Sequence, residues 1–187
     1  LVSMSSSAGR DHYRPFAEIT QGALRFAALK LGLDLSPQAE ATLLGAYHRL
    51  DPFAENRAVL EALQQRGITT GVLSNGDPPM LEAVVRNAGF DSLLQHVISV
   101  EACRRFKTDP AAYNLGTQAL QLAAEDILFV SSNAWDAIGA TWFGYTTLWI
   151  NRSGAPPEQL GTEPSHTGRS LDDVLPLLTG PNPGPSA

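Results

Sequence analysis

Three short clusters in this 187-residue chain hold the residue types that chemistry needs. Leu73-Ser74-Asn75-Gly76-Asp77 sets a hydroxyl and an amide on a glycine-containing turn, where backbone N–H groups can also surround an anion such as a carboxylate or phosphate. The same letters suit an N-cap followed by a glycine turn that binds nothing. Further on, Phe106-Lys107-Thr108-Asp109-Pro110 puts a lysine just before a proline-started helix, with Tyr113 one helical turn beyond. A cation there can neutralise a carboxylate in a site, although an ordinary solvated lysine reads the same way. In the third cluster, Ser131-Ser132-Asn133-Ala134-Trp135-Asp136, four polar side chains crowd one loop. Capping and the helix dipole account for Asn133 and Asp136 but not for the large Trp135 beside them, so this loop is read as functional.

All three clusters lie at or just after the ends of short β-rich runs, and the surrounding elements must hold them in place. Apolar positions recur at helical spacing through Phe16, Ile19, Leu24, Phe26, Ala27 and Leu31, which predicts a helix ending near Gly32. Ser36-Pro37 has the form of an N-cap followed by proline, with Glu40 in the first turn and Leu43, Leu44, Tyr47 and Leu50 along one side. The two helices make a hairpin that suits either a small cap or ordinary packing. From Asp51 onward, helices over 56–65, 80–87, 111–122 and 135–143 alternate with strands over 69–73, 96–100, 127–130 and 146–150. That alternation builds a parallel sheet covered by helices, and parallel strands present functional groups at their carboxyl ends. The expected fold is α/β, with Ser74, Lys107 and Asp136 converging at one edge. Residues 1–50 are read as a partial helical cap, 51–180 as a Rossmann-like core, and the Pro/Gly-rich 181–187 as a disordered tail.

Composition narrows the class of function. Thirteen Lys and Arg against nineteen Asp and Glu leave a net charge of −6 with no basic cluster, so nucleic acid is not an expected partner. No apolar run approaches the roughly 20 residues that a membrane-crossing helix needs, so no membrane association is expected. One cysteine, Cys103, allows no internal disulfide, and the beginning of the chain lacks a basic-then-apolar signal, which fits a cytoplasmic location. His12, His48, His96 and His166 have no zinc-like spacing, so no metal centre is expected. Trp142 and Trp149 read as core residues.

Taken together, Leu73-Ser74-Asn75-Gly76, Lys107 and Ser131-Ser132-Asn133-Ala134-Trp135-Asp136, in this order, resemble the haloacid dehalogenase superfamily, and within it the L-2-haloacid dehalogenases. The likeness extends over nearly the whole chain, with Phe16 to Tyr47 similar to their helical cap and Trp149-Ile150-Asn151-Arg152 similar to the segment after their last core strands. It implies a Rossmann-like core in which an aspartate displaces halide from the α-carbon of a small L-2-haloalkanoic acid. Water then releases the 2-hydroxy acid from the aspartyl ester with inverted configuration, and no cofactor takes part. By the same resemblance, Ser74 and Asn75 hold the substrate carboxylate, Asn75 also faces the leaving halide, and Lys107 pairs with the nucleophile with Tyr113 near it. Asp136 positions the hydrolytic water, Ser131 and Asn133 hold its loop, and Phe16 and Trp135 line the pocket. Relatives are commonly dimeric, which makes a homodimer an expectation.

Two departures from the family pattern stand out. Thr108 follows Lys107 where many relatives have proline. The family's first strand, with its Asp-x-Tyr-Gly-Thr type loop, has no counterpart here, so the nucleophile is expected upstream of Leu1 and the isolated 187 residues are expected to be inactive and either poorly soluble or oligomeric. A superfamily phosphatase is the first rival reading. Such enzymes generally place an acidic residue where this chain has Ser131 and Ser132, and Mg²⁺ prefers carboxylate oxygens, so the serines favour dehalogenation. The second rival is a non-catalytic domain that binds a carboxylate or a protein partner, a reading that the absent aspartate supports.

Overall fold

The computed structural model describes residues 12–178; the serine-rich opening and the 181–187 tail lie outside the described residues. In chain order the helices are α1 (Phe16–Lys30), α2 (Pro37–Gly45), α3 (Asn56–Gln65), α4 (Pro78–Ala88), α5 (Pro110–Leu120), α6 (Ala134–Phe143) and α7 (Val174–Leu177). The strands are β1 (Gly71–Ser74), β2 (His96–Ser99), β3 (Leu128–Ser131), β4 (Thr146–Ile150) and β5 (His166–Gly168). All strand pairing is parallel, in two sheets among the described residues: β1 with β2, and β3-β4-β5. The fold is α/β of the Rossmann-like kind.

Packing divides the chain into two compact units, the first comprising the residues up to Pro52 plus Thr69–Ala123, the second Phe53–Ile68 plus the residues from Ala124 onward. The helical hairpin groups with β1, β2 and their helices.

In the first unit, α2 is started by Ser36, whose hydroxyl accepts the Ala39 N–H at 3.2 Å, and by Pro37 in the first turn. Glu40 ties this helix to α1 by an ion pair with Arg25 at 2.8 Å, and the Gln21 amide also donates to Glu40. Strand β1 pairs with β2 from Gly71 opposite His96 to Ser74 opposite Ser99. Glycine suits that approach, because a Cβ at position 71 would come within 3.1 Å of the His96 carbonyl oxygen and press the strands apart. Tyr13, Val100, Phe106 and Ala112 form the buried core, with Phe16, Ile19 and Leu73 packed against it.

In the second unit, α3 buries Val59, Leu60 and Leu63. It ends where Gly67 turns left-handed at φ 70° and Ile68 N–H donates back to the Leu63 carbonyl, which satisfies the last turn. Val59 and Leu63 pack with Leu148, Ile150 and Val174. Leu171, Leu175 and the β3 side chains Leu128 and Val130 close the cluster.

Two sequence expectations need correction. Trp142 is not core: it is 56% exposed, with its indole N–H on the Thr162 hydroxyl at 2.9 Å, whereas Trp149 is buried as expected. Helix α5 stops at Leu120 rather than reaching 122, because Gln121 adopts φ 55° and breaks the ladder.

Candidate active site

The β1 turn is built from its own side chains. Ser74, the last residue of the strand, accepts the Gly76 N–H on its hydroxyl at 3.1 Å and keeps its own hydrogen as a donor. Gly76 is buried, and a Cβ there would come within 3.0 Å of the Leu81 side chain, so a larger residue would have to displace that leucine. From the neighbouring strand, Ser99 donates its hydroxyl to the Gly76 carbonyl at 2.7 Å and fixes the turn from below. Asn75 Oδ1 accepts the backbone N–H of Lys107 at 3.0 Å, which leaves the two N–H donors of its amide for other partners. The structure therefore joins the first two clusters, and the Ser74 hydroxyl and Asn75 amide supply a donor set suited to a carboxylate or halide.

Lys107 is half-buried and leads into α5, whose first turn is capped by Asp109 through the Ala111 N–H at 2.9 Å. Tyr113 is fully buried on that helix. Phe106, next to Lys107, is 2% exposed and stacks on Tyr13 with ring centroids 5.4 Å apart. Phe16 packs on the same ring at 6.4 Å. The Tyr13 hydroxyl is pushed up to about 12, first by burial and then by the negative charges of Glu101 and Asp77.

The third cluster sits at the carboxyl end of β3 in the second unit. Ser131 donates its hydroxyl to Asp136 Oδ2 at 2.9 Å, and both residues are buried, at 9% and 5% exposure. The same hydroxyl accepts the Asn133 N–H at 3.2 Å. Asn133 holds the cap position of α6, yet its side chain makes no capping bond and is exposed. Capping is thus not what the Asn133 amide does here. Trp135 is 40% exposed, and Trp149, opposite Ser131 in the strand register, donates its indole N–H to the Ser132 carbonyl at 3.3 Å. Asp136 is consequently a carboxylate held in a fixed orientation, the form a general base or water-orienting group needs. Among the described residues, no three His, Cys, Asp or Glu side chains gather as a metal-binding group.

Sequence reasoning passed over Asp77 and Ser99. Asp77 precedes Pro78-Pro79 and so reads as the cap of α4, but its carboxylate instead accepts the N–H groups of Phe16 and Ala17, each at 2.8 Å. The partial signal was Pro79, which removes the second-position N–H that a cap can accept and leaves only that of Met80.

A family model for haloacid dehalogenase-like hydrolases matches residues 7–144. The chain is 44% identical over 168 residues to an (S)-2-haloacid dehalogenase of Pseudomonas sp. (strain YL), covering 90% of this chain and 72% of that protein. It is 41% identical to haloacetate dehalogenase H-2 of Moraxella sp. (strain B), covering 89% and 74%. The crystal structure of an L-2-haloacid dehalogenase superposes with a TM-score of 0.91 at 48% identity, covering 95% of this chain and 78% of the other. An L-2-haloacid dehalogenase from Xanthobacter autotrophicus with chloropropionic acid covalently bound superposes at 0.82 with 32% identity, covering 91% and 78%. On the family model and these relatives, the chain belongs to the haloacid dehalogenase-like hydrolases.

Proposed function

We propose that the protein hydrolyses small L-2-haloalkanoic acids to 2-hydroxy acids, displacing halide through an aspartyl ester. The observation that carries this reading is the buried Ser131–Asp136 pair, a hydroxyl held at 2.9 Å from a carboxylate where a Mg²⁺-dependent relative would place an acidic residue. The names of the relatives, (S)-2-haloacid and haloacetate dehalogenases, support the substrate class.

Ser74 and the Asn75 amide hold the substrate carboxylate, and Asn75 also faces the departing halide. Lys107 pairs with the nucleophilic aspartate, which lies on a segment outside these 187 residues. Attack at the α-carbon forms the C–O bond of the ester as the carbon–halogen bond breaks and the halide leaves with the electron pair. Asp136 then orients a water molecule for attack on the ester carbonyl and takes its proton, with Ser131 and Asn133 keeping the loop in place. Phe16 and Trp135 supply the apolar walls that favour departure of a weakly solvated halide, and Tyr113 completes the substrate-binding set near Lys107. No helix among the described residues is long and apolar enough to cross a membrane. A cytoplasmic protein that acts as a homodimer completes the proposal.

The test is halide release from L-2-chloropropionate with and without a chelator, measured on the 187 residues and on the protein carrying its upstream coding sequence. The proposal expects chelator-resistant release from the longer protein. Hydrolysis of a phosphate monoester that a chelator abolishes and Mg²⁺ restores would overturn it.

A further inference from the structure

The N-terminus of α1 has no cap of its own. Its flanking residue is Pro15, which offers no side-chain acceptor, so the first-turn N–H groups must find partners elsewhere. They find Asp77, sixty residues away, with Oδ1 on the Phe16 N–H and Oδ2 on the Ala17 N–H. Asp77 is available because its own helix begins Pro78-Pro79 and presents no N–H in those two positions.

The position of this clamp matters more than its strength. Asp77 follows the Ser74-Asn75-Gly76 turn directly, and Phe16 is the first residue of α1. Phe16 packs on Phe106, Phe106 precedes Lys107, and the Lys107 N–H returns to Asn75. The contacts close a ring that runs Asn75, Asp77, Phe16, Phe106, Lys107 and back. An acidic side chain two residues from an anion-binding amide would ordinarily repel the anion. Here its charge is spent on two N–H groups and on the positive end of a 15-residue helix.

We propose that Asp77 is a positioning residue that fixes Phe16, an apolar wall of the pocket, to the turn that binds the substrate carboxylate, so that wall and turn keep one geometry. This rests on the reading of Ser74, Asn75 and Phe16 given above.

The experiment compares D77A and D77N with the parent protein by amide hydrogen exchange and by haloacid kinetics in the protein carrying its upstream coding sequence. Exchange at Phe16 and Ala17 should accelerate in D77A by roughly five- to thirtyfold, the factor that loss of a helix cap produces. Exchange at the Lys107 N–H, which reports the placement of Asn75, should accelerate with it. D77A should raise KM for L-2-chloropropionate more than it lowers kcat, and D77N, which keeps one acceptor oxygen, should recover part of both effects and covers the case in which D77A does not fold. Faster exchange confined to α1, with Lys107 and KM unchanged, would reduce Asp77 to a simple cap and overturn the proposal, as would unchanged exchange at Phe16 and Ala17. If the parent protein releases no halide, the dehalogenase reading fails, whereas the ring itself is still judged by whether Lys107 exchange follows Asp77.

Discussion

Replacing Ser131 by alanine removes one hydrogen bond whose loss can be weighed from its surroundings. The hydroxyl donates to Asp136 Oδ2 at 2.9 Å with both residues buried, so the carboxylate would lose a partner that water cannot readily replace. Hydrogen bonds to charged groups contribute about 1.5–3 kcal/mol. The second bond lost, from the Asn133 N–H at 3.2 Å, belongs to an exposed residue that water can reach, so it adds little. A cost of about 2 kcal/mol follows, which in a chain of this size corresponds to a fall of roughly 4–8 °C in Tm. Ser132→Ala supplies the control, because that side chain is exposed and the Trp149 indole bonds to its backbone carbonyl rather than its hydroxyl. Its cost should stay within about 0.5 kcal/mol. Urea unfolding of both variants, with S131A/D136N closing a double-mutant cycle, measures the coupling. Equal costs for the two serines, or a coupling near zero, would show that Ser131 does not hold Asp136 and would remove the physical basis for its role.

Three further outcomes are expected. Asp173 accepts the Arg169 and Ser170 N–H groups at 2.7 and 3.2 Å, which lower its carboxyl below the usual range, so its contribution to stability is complete above the ordinary carboxylate pKa and is lost as pH falls through the lowered native value. Urea midpoints of D173N and the parent should therefore differ at neutral pH and converge only in acid, once the pH has fallen below the lowered native value. The Tyr13 phenol, raised to about 12, stabilises the folded chain fully below pH 10 and loses that contribution as pH rises through 12; ultraviolet titration of Y13F should lack the phenolate absorbance that the parent gains near that pH. Leu148→Ala, at a side chain 1% exposed among Val59, Leu63, Ile150 and Val174, should cost about 3 kcal/mol by chemical denaturation.

Much of the fold is legible in the sequence because its signals are local. Ser36-Pro37 marks the start of α2 by chemistry that needs no distant partner, and the apolar spacing of Val59, Leu60 and Leu63 marks the buried face of α3. Strand β5 escaped because His166-Thr167-Gly168 has no strand pattern of its own and is defined by pairing with Leu148, Trp149 and Ile150. Which elements pack together is not local either: periodicity shows which face of a helix is apolar but not which element covers it. At the candidate site, residue type and strand-end position raised Ser74, Asn75, Lys107, Ser131 and Asp136 as candidates, and only the family resemblance gave them roles. The bond from the Lys107 backbone to the Asn75 side chain spans 32 residues and follows from the fold alone. Asp77 was passed over for the same reason, since its partners are the N–H groups of α1, about sixty residues away in the chain.

The stereochemical course of halide release tests the central claim most directly. The two enantiomers of 2-chloropropionate are offered separately to the protein carrying its upstream coding sequence, and the products are resolved by chiral chromatography. Displacement by a carboxylate followed by attack of water on the ester carbonyl inverts the α-carbon once. The L substrate should be consumed and D-lactate formed, with the D substrate left intact. Consumption of the D enantiomer, or lactate of unchanged configuration from the L enantiomer, would contradict the account.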